Sequence, residues 1–179
     1  EIGSGLVGSE MCKETANIYI PQGWYIVKEP LTLKQNTNLI GLHPGTTILL
    51  TLGGNLAFSG FGAPQAQLTT PQGGKNIVCG IFLNADAYNY RAVNCKWMAG
   101  EGSYMYDVKF SGHDKARFFH NGQSAVNPLE KPMSITPETH DLITRAWDNQ
   151  HWSLWITNGG GGSFRDIWTA NEYSSAGLY

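Results

Sequence analysis

Short apolar segments recur along the whole chain, and each has glycine, proline, asparagine or serine beside it. Segments of this length next to turn residues predict β-strands, whereas the periodicity of amphipathic helices is nearly absent. In five segments an Asn or Asp precedes an apolar residue, which indicates one repeated backbone environment; these residues are Asn17, Asn38, Asn76, Asp107 and Asp166. The predicted strands are residues 17–20, 24–27, 31–33, 38–42, 47–50, 76–83, 93–98, 104–110, 153–157 and 163–168.

The chain also carries an internal repeat. When it is shifted so that residue 95 falls on residue 154, the stretches 95–110 and 154–169 align without a gap. Repeated short strands joined by turns, with no helices between most of them, are typical of a right-handed parallel β-helix. In that fold each coil buries its apolar face against the next coil. We therefore predict an all-β protein of this kind, similar in architecture to a solenoid.

An antiparallel β-sandwich is the alternative, and it is disfavoured because no two-residue Asn-Gly or Asp-Gly turn joins consecutive predicted strands. Residues 111–146 interrupt the strand pattern with charges, three prolines and a short helix signal around residues 136–147. We interpret them as a loop and short-helix insertion projecting from one coil. We expect residues 1–179 to form a single β-helix domain that is part of a longer chain.

Four consecutive glycines, Gly159 to Gly162, stand between two of the predicted strands. The densely apolar flanks and the matching glycines of the earlier repeat argue against a flexible linker. A phosphate-binding loop is disfavoured because no lysine follows and no helix pattern opens after Ser163. We predict a tight corner, in which positive φ or close backbone packing excludes a Cβ.

Composition excludes several classes of partner. The formal net charge is -2, only 15% of the residues are charged, and no run of like charge exists. A nucleic-acid partner is therefore not expected, nor is a membrane partner, since no apolar run is long enough to span a bilayer. The three cysteines, Cys12, Cys79 and Cys95, have no zinc-ligand spacing, and we interpret them as buried apolar side chains, with a single disulfide as the alternative.

A family resemblance also favours the parallel β-helix. The segment 18-IYIPQGWYIVKEPLTLKQNTNLIGLHPGTTILL-50 resembles an opening coil of the pectate-lyase-superfamily domain. Residues 92–112 and 147–179 are similar to bacterial secreted proteins called glycoside hydrolase family 28-related or family 55-like. The resemblance implies a pectin-lyase-like right-handed β-helix in a secreted, extracellular protein that acts on a polysaccharide. It transfers no catalytic residue, because no catalytic motif of the family maps onto this chain.

Strand alternation selects candidate binding residues. It places Lys96 and Trp155 on the opposite side of their strands from the apolar residues beside them, and it also turns Trp168 outward. An exposed indole suits the apolar face of a sugar ring, although packing under the 111–146 insertion is an equally good explanation. The predicted substrate-binding residues are Trp155, Trp168, Lys96 and His151.

Candidate catalytic acids are harder to select. Hydrolysis of a glycosidic bond needs two carboxylates, whereas elimination needs a base and a group that neutralises a uronate. We predict Glu101, Asp148 and Asp114 as the acids, with Asp86 weaker; Asp107 is explained by its bend. No calcium-loop, zincin or nucleophile-elbow motif occurs, so neither metal nor cofactor is expected.

We expect a carbohydrate-active enzyme, a glycoside hydrolase more than a polysaccharide lyase. The alternatives are a polysaccharide-binding module without catalysis and a structural β-helix of the tailspike or adhesin type. The sequence does not indicate the oligomeric state.

Overall fold

The computed structural model describes residues 15–85, 89–112, 151–169 and 178. These residues form eleven strands and no helix, and every strand pair is parallel. The all-β prediction is therefore confirmed. The strands are β1 (Ala16–Ile20), β2 (Gly23–Ile26), β3 (Leu31–Thr32), β4 (Thr37–Gly41), β5 (Thr47–Leu50), β6 (Gln65–Thr69), β7 (Ile77–Ala85), β8 (Ala92–Trp97), β9 (Tyr104–Gly112), β10 (Leu154–Ile156) and β11 (Ser163–Thr169).

The strands belong to two sheets. The seven-stranded sheet has the order β1-β4-β7-β5-β2, with β9 on the other side of β7 and β11 beyond β9. The four-stranded sheet has the order β10-β8-β6-β3. Parallel strands cannot be joined by tight hairpins, so each strand pairs with a strand from a different passage of the chain rather than with its neighbour in sequence.

Three long strands of the larger sheet bend in the middle. The bends fall at Gly80, Asp107 and Asp166, whose φ angles are 64°, 50° and 51°. Before its bend β7 pairs with β4, and after it β7 pairs with β5. The larger sheet is therefore two columns of parallel strands that share β7, β9 and β11, and the smaller sheet is a third column.

The core lies between these columns. Trp97 is fully buried on β8, its indole meets Phe164 edge-on at 5.6 Å between ring centroids, and its Nε1 donates to the carbonyl oxygen of Gly161 at 2.9 Å. Every column contributes large apolar side chains to this core, so the columns depend on one another for stability. One cluster of buried core residues consists of Ile20, Val27, Leu33, Leu39, Leu49, Leu68, Val78, Ile81, Leu83, Cys95, Trp97, Ala99, Met105, Val108, Phe110 and Leu154.

The predicted repeat is confirmed as strand pairing. Trp155 pairs with Lys96, and Ile167 pairs with Val108, so the aligned stretches are neighbouring strands in matching register. All ten predicted strands are present within a few residues of their predicted limits, and the sequence pattern missed only β6.

The glycine corner is confirmed for Gly159, Gly160 and Gly162, whereas Gly161 has neither positive φ nor a close neighbour at its Cβ position. Residues 157–162 connect β10 to β11, and Gly159 and Gly162 have φ angles of 76° and 96°. The Gly161 amide donates to the Ala99 carbonyl oxygen at 2.8 Å, which holds this corner against the corner between β8 and β9. A Cβ on Gly160 would lie 2.5 Å from the Trp97 carbonyl oxygen.

The single environment predicted for the Asn and Asp residues is wrong. Asp107 and Asp166 occupy the positive-φ bends, whereas Asn17, Asn38 and Asn76 do not have positive φ. Asn38 instead donates to Asn17 Oδ1 and accepts from the Ile77 amide, both at 2.9 Å. The sequence pattern could not separate the two because both place a polar residue before an apolar one.

Some of the sequence predictions concern segments outside the described residues. Of the predicted insertion 111–146, the first two residues continue β9, and the rest, with the helix signal at 136–147, lies outside. Among the residues that the structure describes, no helix is long and apolar enough to cross a membrane.

Candidate functional site

A lysine and a tryptophan lie side by side on the four-stranded sheet. Their strand neighbours Cys95, Trp97 and Leu154 are buried in the core, so alternation turns Lys96 and Trp155 to the other side of the sheet, as predicted. The Lys96 Nζ lies 4.6 Å from the centroid of the Trp155 ring. An ammonium group at this distance is attracted by the negative face of the indole, which favours this arrangement of the two side chains.

The aromatic surface continues beyond the strand. The Trp152 ring lies 5.5 Å from that of Trp155, and the His151 ring lies 6.0 Å from that of Trp152. The His151 Nε2 is 2.9 Å from the carbonyl oxygen of Gly62, which requires a proton on this nitrogen because a carbonyl only accepts. We call the set Lys96, His151, Trp152 and Trp155 the Lys96–Trp155 surface.

A folded loop supports this surface. In the segment between β5 and β6, Phe58 is fully buried against Ala85 and Ala92. Arg91 binds the same segment, donating from Nη2 to the Ala57 carbonyl oxygen at 2.7 Å and from Nε to the Ser59 carbonyl oxygen at 3.1 Å. Since Gly62 belongs to this loop, the contact with His151 ties the surface to an anchored segment.

The described part of the Lys96–Trp155 surface carries one ammonium group and no carboxylate. It contains Lys96 and His151, and the adjoining loop is held by Arg91, whereas no Asp or Glu occurs in β6, β8, β10 or residues 52–64. Within the described ranges no ion pair involves Lys96, and its ammonium group lies over the indole of Trp155. An aromatic platform with an ammonium group is suited to binding a polar, ring-shaped ligand.

A second lysine–tryptophan pair lies on the other sheet. Lys109 of β9 pairs with Phe82 of β7 and with Trp168 of β11, and its Nζ is 4.5 Å from each of the two ring centroids. The Trp168 side chain is 47% exposed, whereas Phe82 is 9% exposed. Trp168 is therefore exposed, as predicted, but it does not share a sheet with Trp155.

The structure thus brings together three of the four predicted binding residues, Lys96, Trp155 and His151. It also shows three residues that the sequence argument missed: Trp152, Lys109 and Phe82. Lys109 and Phe82 could have been found from the strand register, which places them beside Trp168. Trp152 stands outside a strand, so alternation gave no signal for it.

The predicted catalytic acids are not brought together within the described residues. Glu101 is exposed in the corner between β8 and β9, beside Gly102 with a φ of 82°. Asp114 and Asp148 lie outside the described residues, as does Asp86. In the part of the chain that is described, no group of three or more His, Cys, Asp or Glu side chains could hold a metal ion.

The described cysteines are unsuited to nucleophilic chemistry. Cys79 and Cys95 are both buried and free, as the buried-apolar interpretation predicted, while Cys12 lies outside the described residues. Burial raises the pKa of both thiols, and for Cys79 a hydrogen bond with Tyr106 partly offsets this effect. A buried thiol with a raised pKa is rarely ionised near neutral pH and is a poor nucleophile.

No protein-family model, no curated protein and no solved structure matches this chain. The functional assignment therefore depends on the geometry of the molecule itself.

Proposed function

We propose that the chain is a right-handed parallel β-helix whose Lys96–Trp155 surface binds a polysaccharide. The fold proposal is supported by the pairing order, because three columns of parallel strands with matching registers are what successive stacked coils produce. The handedness is supported by the strong general preference for right-handed connections between parallel strands.

The observation that carries the function is the contact between Lys96 and Trp155, continued by Trp152. An indole held rigidly on a strand can take the apolar face of a sugar ring, and its N–H can reach a hydroxyl. The Lys96 ammonium, kept beside the indole, can donate to ring oxygens and hydroxyls. Because Lys96 and Trp155 lie on paired strands, the protein loses little backbone entropy when a ligand binds there.

Binding is better supported than catalysis. Hydrolysis needs two carboxylates that flank the scissile bond, and the described part of the Lys96–Trp155 surface has none. Glycoside hydrolysis, more than elimination, is the second candidate function, with Glu101, Asp114 and Asp148 as its proposed acids. A polysaccharide ligand agrees with a secreted protein, and we propose an extracellular location on that ground.

Affinity electrophoresis tests the binding proposal. The protein is run in native gels that contain polygalacturonate, alginate, xylan or laminarin, and retardation is compared for the wild type, Trp155→Ala and Trp24→Ala. Trp24 is a matched control because it is a 67% exposed tryptophan on the other sheet. We expect at least one polymer to retard the wild type and Trp24→Ala, and Trp155→Ala to bind about tenfold or more weakly, as for an aromatic anchor worth about 1.4 kcal/mol.

The same polymers test catalysis, by reducing ends for hydrolysis and by the absorbance of unsaturated uronates for elimination. The binding proposal is wrong if no polymer retards the protein, or if Trp155→Ala and Trp24→Ala are retarded equally. A melting temperature of Trp155→Ala close to that of the wild type shows that its loss of binding does not come from unfolding.

A further inference from the structure

The lysine–tryptophan pair occurs twice in the molecule, once on each sheet. Lys96 pairs with Trp155, and Lys109 pairs with Trp168, in the same register of the internal repeat. The two Nζ-to-centroid distances are 4.6 and 4.5 Å. In both pairs the lysine belongs to the earlier repeat and the tryptophan to the later one. The repeat has therefore built the same surface feature at two places.

In the second pair the lysine contacts two aromatic rings rather than one. The Lys109 ammonium lies between the rings of Phe82 and Trp168, so it contacts an aromatic face on each side. Phe82 is buried, which makes it a fixed base for the stack. One face of the Trp168 indole is thus occupied by Lys109, yet nearly half of the side chain is still exposed. An indole fixed in this way can bind a ligand without first losing rotamer freedom.

We infer that Phe82, Lys109 and Trp168 form a second carbohydrate-binding surface, and that the chain binds two polysaccharide segments at once. This inference depends on the proposed function, because the ligand class is taken from the matching Lys96–Trp155 surface. The two surfaces belong to different sheets, so they are separate sites rather than one extended groove.

Two sites on one rigid chain change how the protein binds a polymer. Once the first site is occupied, the second meets neighbouring sugar units at a high effective concentration, and avidity can exceed either single affinity by about 10²–10⁴. If the two segments come from different polymer chains, the protein links them. A chain with a single site can do neither.

Titration calorimetry counts the sites directly. The probe is the hexasaccharide of whichever polymer (polygalacturonate, alginate, xylan or laminarin) retards the protein in the gel assay. We expect two hexasaccharides per wild-type molecule, one per molecule for Trp155→Ala, one for Trp168→Ala and none for the double variant. Tyr19→Ala, which removes an exposed aromatic ring from the larger sheet, should still bind two.

A second measurement protects the test against misfolding. Trp168→Thr keeps a residue that favours strands, and Trp168→Phe keeps an aromatic face, so the first should lose one site and the second should retain it. Turbidity of the full-length polymer with the protein should appear for the wild type and Trp168→Phe, and should be lost in Trp155→Ala and in Trp168→Thr.

The outcomes separate this inference from the proposed function. One hexasaccharide per wild-type molecule, abolished by Trp155→Ala and unaffected by Trp168→Thr, overturns the second site and leaves the proposed function standing. Absence of retardation by every polymer overturns both. Two sites of which Trp168→Thr removes neither would also overturn the assignment of the second surface.

Discussion

The corner between β10 and β11 allows backbone strain and steric overlap to be measured separately, because its four glycines differ in both respects. Gly161 has ordinary φ and open space where a Cβ would stand, and Gly159 has open space but a φ of 76°. Gly160 has ordinary φ, but its Cβ would meet the Trp97 carbonyl oxygen. Gly162 combines a φ of 96° with overlap against the backbone of Ser103.

Alanine at each position should therefore give a graded series of unfolding free energies. Gly161→Ala should stabilise by about 0.4–1 kcal/mol, since it restricts only the unfolded chain. Gly159→Ala should cost roughly 1–2 kcal/mol, the penalty of a left-handed conformation for a residue with a Cβ. Gly160→Ala should cost about 1–3 kcal/mol from overpacking, and Gly162→Ala, which carries both penalties, about 2–5 kcal/mol.

Urea unfolding, monitored by circular dichroism, measures these differences. If the dependence of the unfolding free energy on urea concentration is unchanged, each difference appears as a shift of the midpoint. In thermal melts, each 1 kcal/mol should move the melting temperature by about 2–4 °C for a chain of this length. If Gly162→Ala were as stable as Gly161→Ala, the corner would not be packed against β9 and the stacking of the last two repeats would be wrong. Equal changes in the unfolding free energy for Gly159→Ala and Gly161→Ala would contradict only the positive φ of Gly159.

Three further changes test other parts of the structure. Asn38→Ala leaves the partly buried Ile77 amide without its side-chain acceptor and should cost about 1 kcal/mol in urea unfolding, whereas Asn17→Ala, at an exposed residue, should cost much less. Burial raises the pKa of Cys95. The contribution of this buried thiol to stability is fully present below about pH 8.5, where the thiol is protonated in both the folded and the unfolded chain. This contribution is lost as the pH rises further, so the wild type should lose more stability between about pH 8 and 10 than Cys95→Ala, and equal slopes would contradict the burial of Cys95. If the chain hydrolyses a polysaccharide through Glu101, Glu101→Gln should lower turnover at least about a hundredfold, and unchanged turnover would remove Glu101 from the candidates.

Much of the fold was predictable because local chemistry and global pairing agree. Apolar runs beside turn residues located ten strands, and the repeat set the register in which Lys96 meets Trp155. The exception, β6, has polar residues at alternate positions, and its Gln67 is fully buried, donating to the carbonyl oxygens of Leu49 and Asn84. A buried glutamine that satisfies backbone oxygens from other strands gives no hydrophobic signal in its own segment.

The candidate site was predictable only in part, for a related reason. Lys96 and Trp155 lie on paired strands, where alternation determines the direction of a side chain. His151 and Trp152 precede the strand, and their positions depend on the contact between His151 and Gly62, which are far apart in sequence. Such contacts arise from tertiary packing of loops and cannot be read from local pattern. The separation of Trp168 from Trp155 likewise follows from sheet topology, which the repeat did not specify.

Oxidative footprinting with the polysaccharide bound shows whether the ligand lies on the Lys96–Trp155 surface, and it requires no substitution in the protein. The wild type is oxidised with and without a saturating amount of the polymer that retards it, and tryptophan oxidation is mapped by mass spectrometry of peptides. We expect the polymer to protect Trp155 and Trp152 while Trp24 is oxidised to the same extent in both samples. Oxidation of Trp155 that does not change when the polymer is bound would contradict the account.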